Sequence, residues 1–240
     1  MNHSKRLSIS MTQRERVWGW LYTPVYFVAL ALVLNAIFLF LGQDVKNPVV
    51  AARLNGIFFL VNFLATLLIY HRFLLRSLVQ VGRRFWGFVQ AVILGLAMYQ
   101  IMTWALLFVL GYCFPWLQNV NDGTIAAMTQ ASRQIMIVGT VLLVPVAEEC
   151  IFRGLLFQGL FARSRAGAYL LSTLAFCLVH VMNYVGHYDA LTLLLCALEY
   201  IPAGVALAWS YEKSDTILAP ILIHSLVNLI SVYSLSAGLF

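Results

Sequence analysis

Six ionisable residues lie within apolar stretches of this 240-residue chain, and they are its candidates for chemistry: Glu148, Glu149, Arg153, His180, Glu199 and His224. Removing an ionisable side chain from water is costly. Such groups are therefore kept mainly where they pair with one another, transfer protons or contact a substrate. Carboxylates and imidazoles together can activate water as general bases, and imidazoles can also donate hydrogen bonds to developing negative charge.

The first motif is the segment Glu148-Glu149-Cys-Ile-Phe-Arg153-Gly154. The apolar residues before it, 135–147, are too few to cross a bilayer, so the glutamates lie inside a span. Glu149 and Arg153 are spaced i,i+4 and share a helix face, which predicts an ion pair. Glu148 points about 100° away and lacks that partner, which suits a general base. The alternative is a purely structural ion pair, which leaves Glu148 without a role.

The other two motifs contain one histidine each. The second ends at His180, four residues after Phe176, and the third places His224 and Asn228 at i,i+4. Two hydrogen-bonding side chains at that spacing project from one helix face. The alternatives are that His180 is a packing residue and that His224 and Asn228 form interhelical hydrogen bonds, both of which are common in membranes.

The elements that carry these motifs are membrane helices. Hydrophobic residues make up 62% of the chain and charged residues 10%, against about a quarter charged in soluble domains. We predict an all-α polytopic bundle with seven spans near 22–41, 54–75, 87–113, 135–161, 168–186, 190–210 and 217–239. Residues 1–134 hold a cytoplasmic segment and three spans, and residues 135–240 form a four-helix core of the same integral bundle.

Basic residues predict the orientation. Eleven fall on one side of the predicted spans: Lys5, Arg6, Arg14, Arg16, Arg72, Arg76, Arg83, Arg84, Arg163, Arg165 and Lys213. Only Lys46, Arg53 and Arg133 fall on the other. Because cytoplasmic loops are enriched in Lys and Arg, the N-terminus is predicted to be cytoplasmic. The net charge of +6 is thus explained by topology, and no nucleic-acid partner is expected.

The orientation places the motifs at a common depth. At about 1.5 Å per helical residue, His224 lies about 10 Å, Asn228 about 16 Å and His180 about 18 Å from the cytoplasmic ends of their spans. Glu148 lies at about 10 to 20 Å on the same basis. We therefore expect the four side chains to meet between mid-membrane and the cytoplasmic face.

The ordered set EExxxRG, FxxxH and HxxxN, over residues 135–230, resembles the CAAX protease and bacteriocin-processing (CPBP or Abi) family, which includes the Ras-converting CAAX endopeptidases. The resemblance implies an intramembrane endopeptidase in which Glu148 and His180 activate water. His224 and Asn228 would stabilise the oxyanion, and Glu149 and Arg153 complete the first motif. It further implies a membrane-associated, possibly lipidated, peptide or protein substrate. The short loops resemble bacterial members, which implies a bacterial plasma membrane.

Two further expectations concern cofactors and Glu199. Glu148, His180 and His224 could ligate zinc, but no HExxH helix is present and the four cysteines form no CxxC pair. A cofactor-free glutamate mechanism is therefore predicted, with zinc as the alternative. Glu199 belongs to no motif and either lines a cavity or forms an interhelical hydrogen bond near Tyr200.

Two other functions are compatible with such a polar cluster. One is a non-catalytic scaffold, immunity or regulatory protein of the same fold, although a scaffold would not need Glu148, His180, His224 and Asn228 together. The other is a small-molecule transporter, in which the cluster would couple transport. Transporters are commonly built from two repeated halves, and no such repeat is evident here.

Overall fold

The structure is a computed structural model that describes residues 7–236, a range that contains eight helices and no strand. The helices are α1 (Gln13–Phe40), α2 (Pro48–Arg83), α3 (Phe85–Cys113), α4 (Val120–Ala131), α5 (Arg133–Phe161), α6 (Arg165–Tyr184), α7 (Ala190–Ser214) and α8 (Leu218–Ser236). The predicted all-α polytopic fold is confirmed.

Six helices in the described range are long and apolar enough to cross a membrane: α1, α2, α3, α5, α6 and α7. The seventh predicted span corresponds to α8, whose stretch Leu218–Ser234 is a shorter apolar helix. Lys5 and Arg6, together with residues 237–239 of the last predicted span, lie outside the described residues. The chain is an integral membrane protein. Its orientation and the division at residue 134 stay predictions.

Two helices begin well before the apolar runs that were predicted as spans, because polar caps extend them. The first helix starts at Gln13, where Thr12 and Glu15 form a reciprocal capping box. The second starts at Pro48, after an N-cap by Asn47. Side-chain oxygens at these positions satisfy backbone N–H groups that the helix leaves free. Hydropathy alone does not register such polar first turns.

Helix α4, which lies between α3 and α5, was not predicted from the sequence. Its N-cap is Asn119, whose side-chain oxygen accepts hydrogen bonds from the backbone N–H groups of Asn121 and Asp122. The helix packs against α2 and α8. It is too short and too polar to be identified as a span, and its packing against α2 and α8 is a tertiary feature.

The helix that carries the first motif, α5, is surrounded by other helices. It contacts α1, α2, α6 and α8, and its winding widens to a π-helix at Val138–Leu143 and again at Cys150–Phe157. Such π-helical stretches are rare and occur often at functional sites. The helix α7 also contacts α5, and it packs further against α3, α6 and α8. The stretch 149–155 of α5, which contains most of the first motif, is accordingly buried throughout.

The N-terminal segment before α1 ties the helices together at the end predicted to face the cytoplasm. Ser8 donates both its backbone N–H and its hydroxyl to the carboxylate of Asp215, in the α7–α8 turn. Gln80 of α2 donates to the same carboxylate at 3.0 Å. Met11 is buried in the core, and its N–H donates to Gln158 of α5 at 2.8 Å. This segment therefore fixes α2, α5 and α7 relative to one another.

Candidate active site

The predicted ion pair of the first motif is present at the centre of the bundle. Arg153 Nη1 donates to Glu149 Oε1 at 3.1 Å, and neither side chain is exposed. The guanidinium also donates from Nη2 to the backbone carbonyls of Gly204 and Ala203 on α7, at 3.3 and 3.5 Å. Its carbon lies 4.5 Å from the centre of the Phe176 ring. Arg153 thus joins α5, α6 and α7.

His224 joins the same cluster from α8. Its Nδ1 lies 2.8 Å from Glu149 Oε1, which indicates that Nδ1–H donates to this carboxylate. Glu149 therefore holds both Arg153 and His224. The other imidazole nitrogen, Nε2, then faces Glu148 Oε2 at 4.0 Å. The hydrogen bond to Glu149 keeps a proton on Nδ1 and fixes the orientation of the ring.

Glu148 is the more accessible of the two glutamates. Its side chain is 13% exposed, whereas that of Glu149 is fully buried. Within the described residues, Glu148 Oε2 has no hydrogen-bond partner. The carboxylate that is not paired with Arg153 is therefore the one that retains access, as a general base requires. Tyr26 of α1, which no sequence motif indicates, presents its hydroxyl to Glu148.

His180 is held on α6 by its own helix and by α7. Its Nδ1 lies 2.7 Å from the carbonyl oxygen of Phe176, so Nδ1–H donates there and Nε2 is left as an acceptor. The imidazole stacks on Tyr200, with ring centres 4.1 Å apart and planes inclined by 24°. The centre of the Phe176 ring lies 4.6 Å from the centre of the His180 ring and 5.8 Å from that of the His224 ring. Both histidines therefore adjoin one aromatic ring.

The Asn228 side chain points toward α5, as does the side chain of His224, which lies one helical turn earlier on α8. Its Nδ2 donates at 2.8 Å to the carbonyl oxygen of Thr140, in the first π-helical stretch. The amide has a second N–H and an oxygen beyond this bond. The shared face predicted for His224 and Asn228 is therefore the face toward α5, and Thr140 lies about two turns before Glu148.

Glu199 forms the interhelical hydrogen bond that was one of its two expected roles. Its Oε2 accepts from Asn119 Nδ2 at 2.9 Å. The neighbouring Tyr200 hydroxyl donates to Asn119 Oδ1 at 3.3 Å and accepts from Asn121 Nδ2 at 3.1 Å. Glu199 and Tyr200 form a break within α7. The start of α4 thus supports the tyrosine on which His180 stacks.

The geometry offers a metal little support. No group of three or more His, Cys, Asp and Glu side chains in residues 7–236 is arranged to hold a metal ion. Of the three ligands considered, His224 already uses one nitrogen to bind Glu149 and His180 uses one to bind its own backbone. The cofactor-free mechanism stays a prediction, and a chelation experiment tests it.

Comparison with known proteins places the motifs in a family. Residues 130–230 match the family model described as type II CAAX prenyl endopeptidase Rce1-like. The matched region runs from the end of α4 into α8 and contains all three motifs, so the resemblance found in the sequence is confirmed. Neither the curated proteins nor the solved structures give a match.

Proposed function

We propose that this chain, whose residues 130–230 belong to the CAAX protease family, hydrolyses a peptide bond of a membrane-associated or lipidated peptide or protein. The observation that carries the proposal is the Glu148 carboxylate inside the bundle. It is not paired with Arg153, and its Oε2 lies 4.0 Å from His224 Nε2 with no hydrogen-bond partner in residues 7–236. A metal-independent peptidase needs such a base beside a hydrogen-bond donor.

Glu148 and His180 would activate the water. Each offers an acceptor, since Glu148 Oε2 has no partner in residues 7–236 and His180 donates its Nδ1–H to Phe176. The water oxygen bonds to the carbonyl carbon of the substrate while its proton passes to Glu148. When the C–N bond breaks, that proton goes to the amine leaving group, and the carboxylate is regenerated.

His224 and Asn228 would stabilise the oxyanion of the tetrahedral intermediate. Asn228 has one amide N–H beyond the one donated to Thr140. His224 would donate from Nε2 with its imidazole doubly protonated, while Nδ1–H stays bound to Glu149. Donors aimed at developing charge in a dry site are worth several kcal/mol to the transition state.

Glu149 and Arg153 would act as positioning residues. Glu149 bonds His224 directly, and Arg153 holds Glu149 while donating to the backbone of α7. The bundle would lie in a bacterial plasma membrane, with this cluster between mid-membrane and the cytoplasmic face. Cleavage would then occur on substrate segments that reach the membrane from the cytoplasm.

The test compares the membrane peptidomes of cells that carry wild-type protein or the Glu148→Gln variant. The substitution is nearly isosteric and removes the basicity. A matched control is Glu212→Gln, because Glu212 is a buried carboxylate at the far end of α7 that bonds Arg165 and Tyr169. We expect peptides that appear with wild type and with Glu212→Gln but not with Glu148→Gln. Identical peptidomes for all three would instead favour a non-catalytic scaffold.

A further inference from the structure

A line of buried polar side chains on α2 takes no part in the proposed chemistry. Asn62, Thr66 and Tyr70 are spaced four residues apart, so they share one helix face. Their exposed fractions are 1%, 0% and 0%. They extend about 12 Å along the helix, at about 1.5 Å per residue. This face of α2 packs toward α1 and α5, away from lipid.

Each of the three has a polar atom without a partner. Asn62 Nδ2, Thr66 Oγ1 and Tyr70 Oη are buried and form no hydrogen bond with any residue in the range 7–236. Buried polar atoms in proteins are nearly always satisfied by protein groups or by ordered water. Three unpartnered polar atoms in succession on one helix face therefore point to a common ligand. Water fits all three, because a buried water molecule bonds about three polar groups at a time.

One end of the line reaches the proposed base. Tyr22 of α1 donates its hydroxyl to Asn62 Oδ1 at 2.6 Å. Tyr26, one turn further on, contacts Tyr22 with ring centres 6.5 Å apart. Its hydroxyl faces Glu148, whose Oε2 is itself unpartnered. Tyr22 and Tyr26 thus connect Asn62 to the carboxylate of Glu148.

The other end reaches the surface. Tyr70 Oη lies against Gly19 of α1, where an added Cβ would stand only 2.1 Å from it. One turn before Gly19 is Glu15, whose Oε1 is also buried and unpartnered in the described part of the chain. Its Oε2 accepts from Arg76 at 2.7 Å, and the Arg76 side chain is 35% exposed. This end carries the predicted cytoplasmic loops.

We propose that this polar seam, defined as Glu15, Tyr70, Thr66, Asn62, Tyr22 and Tyr26, conducts water from the cytoplasmic surface to Glu148. The proposal rests on the proposed function, because hydrolysis consumes one water per peptide bond and lipid surrounds the bundle. The seam supplies that co-substrate independently of any opening through which the peptide enters.

The first experiment measures water in the seam without relying on activity. Full-length wild-type and Glu148→Gln proteins are exposed to X-ray hydroxyl-radical footprinting, which modifies side chains next to bound water. Tyr211 is the internal control, because it is as buried as Tyr70 and belongs to the same core cluster. We expect modification of Tyr70 but not of Tyr211 in both proteins. A Tyr70 as unmodified as Tyr211 would overturn the proposal.

The second experiment tests conduction with Thr66→Val and Tyr70→Phe, each of which removes one hydroxyl. The matched control is Thr173→Val on α6, which removes another buried unpartnered hydroxyl outside the seam. We expect kcat to fall about tenfold in the seam variants at unchanged KM, a fall that corresponds to about 1.4 kcal/mol. The control should keep wild-type kcat. Wild-type kcat in both seam variants would refute conduction.

The melting temperature of the Thr66→Val variant distinguishes a seam that contains water from one that does not. Replacing a dry, unsatisfied buried hydroxyl by a methyl group stabilises a protein, whereas removing a hydroxyl that binds water does not. We therefore expect no rise in melting temperature for Thr66→Val, and a clear rise would count against bound water. Absence of peptidase activity in the wild type would refute the proposed function, while footprinting would still decide the occupancy of the seam.

Discussion

Arg153 offers the sharpest test of how the site is held together. We consider Arg153→Met, which keeps an unbranched apolar stem and removes the guanidinium. The substitution breaks the 3.1 Å ion pair with Glu149 and the contacts with the Gly204 and Ala203 carbonyls. It also removes the cation from the Phe176 ring at 4.5 Å. Glu149 would stay fully buried, with His224 as its remaining partner.

The expected loss is large. Removing one partner of a buried ion pair costs about 3–5 kcal/mol. Because His224 still donates to Glu149, we expect the lower end, about 3 kcal/mol. A cost of that size is a substantial part of a total stability of about 5–15 kcal/mol. The double variant Arg153→Met with Glu149→Gln removes the uncompensated charge and should recover part of the loss.

The assay is unfolding in mixed micelles, followed by the fluorescence of the six tryptophans. Arg165→Met is the matched control, because Arg165 pairs with Glu212 at 3.0 Å while its side chain is 62% exposed. An exposed pair of this kind contributes about 0–1 kcal/mol. If Arg153→Met were as stable as Arg165→Met, the interior pairing of Arg153 with Glu149 would be refuted.

Four further outcomes are expected in reconstituted protein. Glu148→Gln abolishes peptidase activity at unchanged melting temperature, and full activity would exclude Glu148 as the base. Asn228→Ala lowers kcat by about 10²–10³ with little change in KM if its amide binds the oxyanion; a change confined to KM would contradict that role. Activity survives prolonged 1,10-phenanthroline, whereas stoichiometric zinc with loss and recovery of activity would overturn the metal-free mechanism. Gly19→Ala lowers kcat by displacing Tyr70, and wild-type kcat would show that this contact does not matter.

The sequence by itself determined the fold class and identified the candidate residues of the site. Hydropathy over about 20 residues identifies a membrane helix because the bilayer core has a set thickness. The i,i+4 spacing of Glu149 and Arg153 predicted their ion pair, since helix geometry alone brings such residues together. The same argument placed His224 and Asn228 on one face. These are local properties, and the structure bears them out.

Only the tertiary structure decided which side chains meet across helices. Glu149 and His224 are 75 positions apart in sequence, and their bond depends on how α8 packs on α5. The stacking of His180 on Tyr200 likewise depends on the break in α7. The polar seam became visible only once packing showed which polar atoms are buried without partners. Helical periodicity gives the direction in which a side chain leaves its own helix. The partner that this side chain reaches depends on how the other helices pack around it.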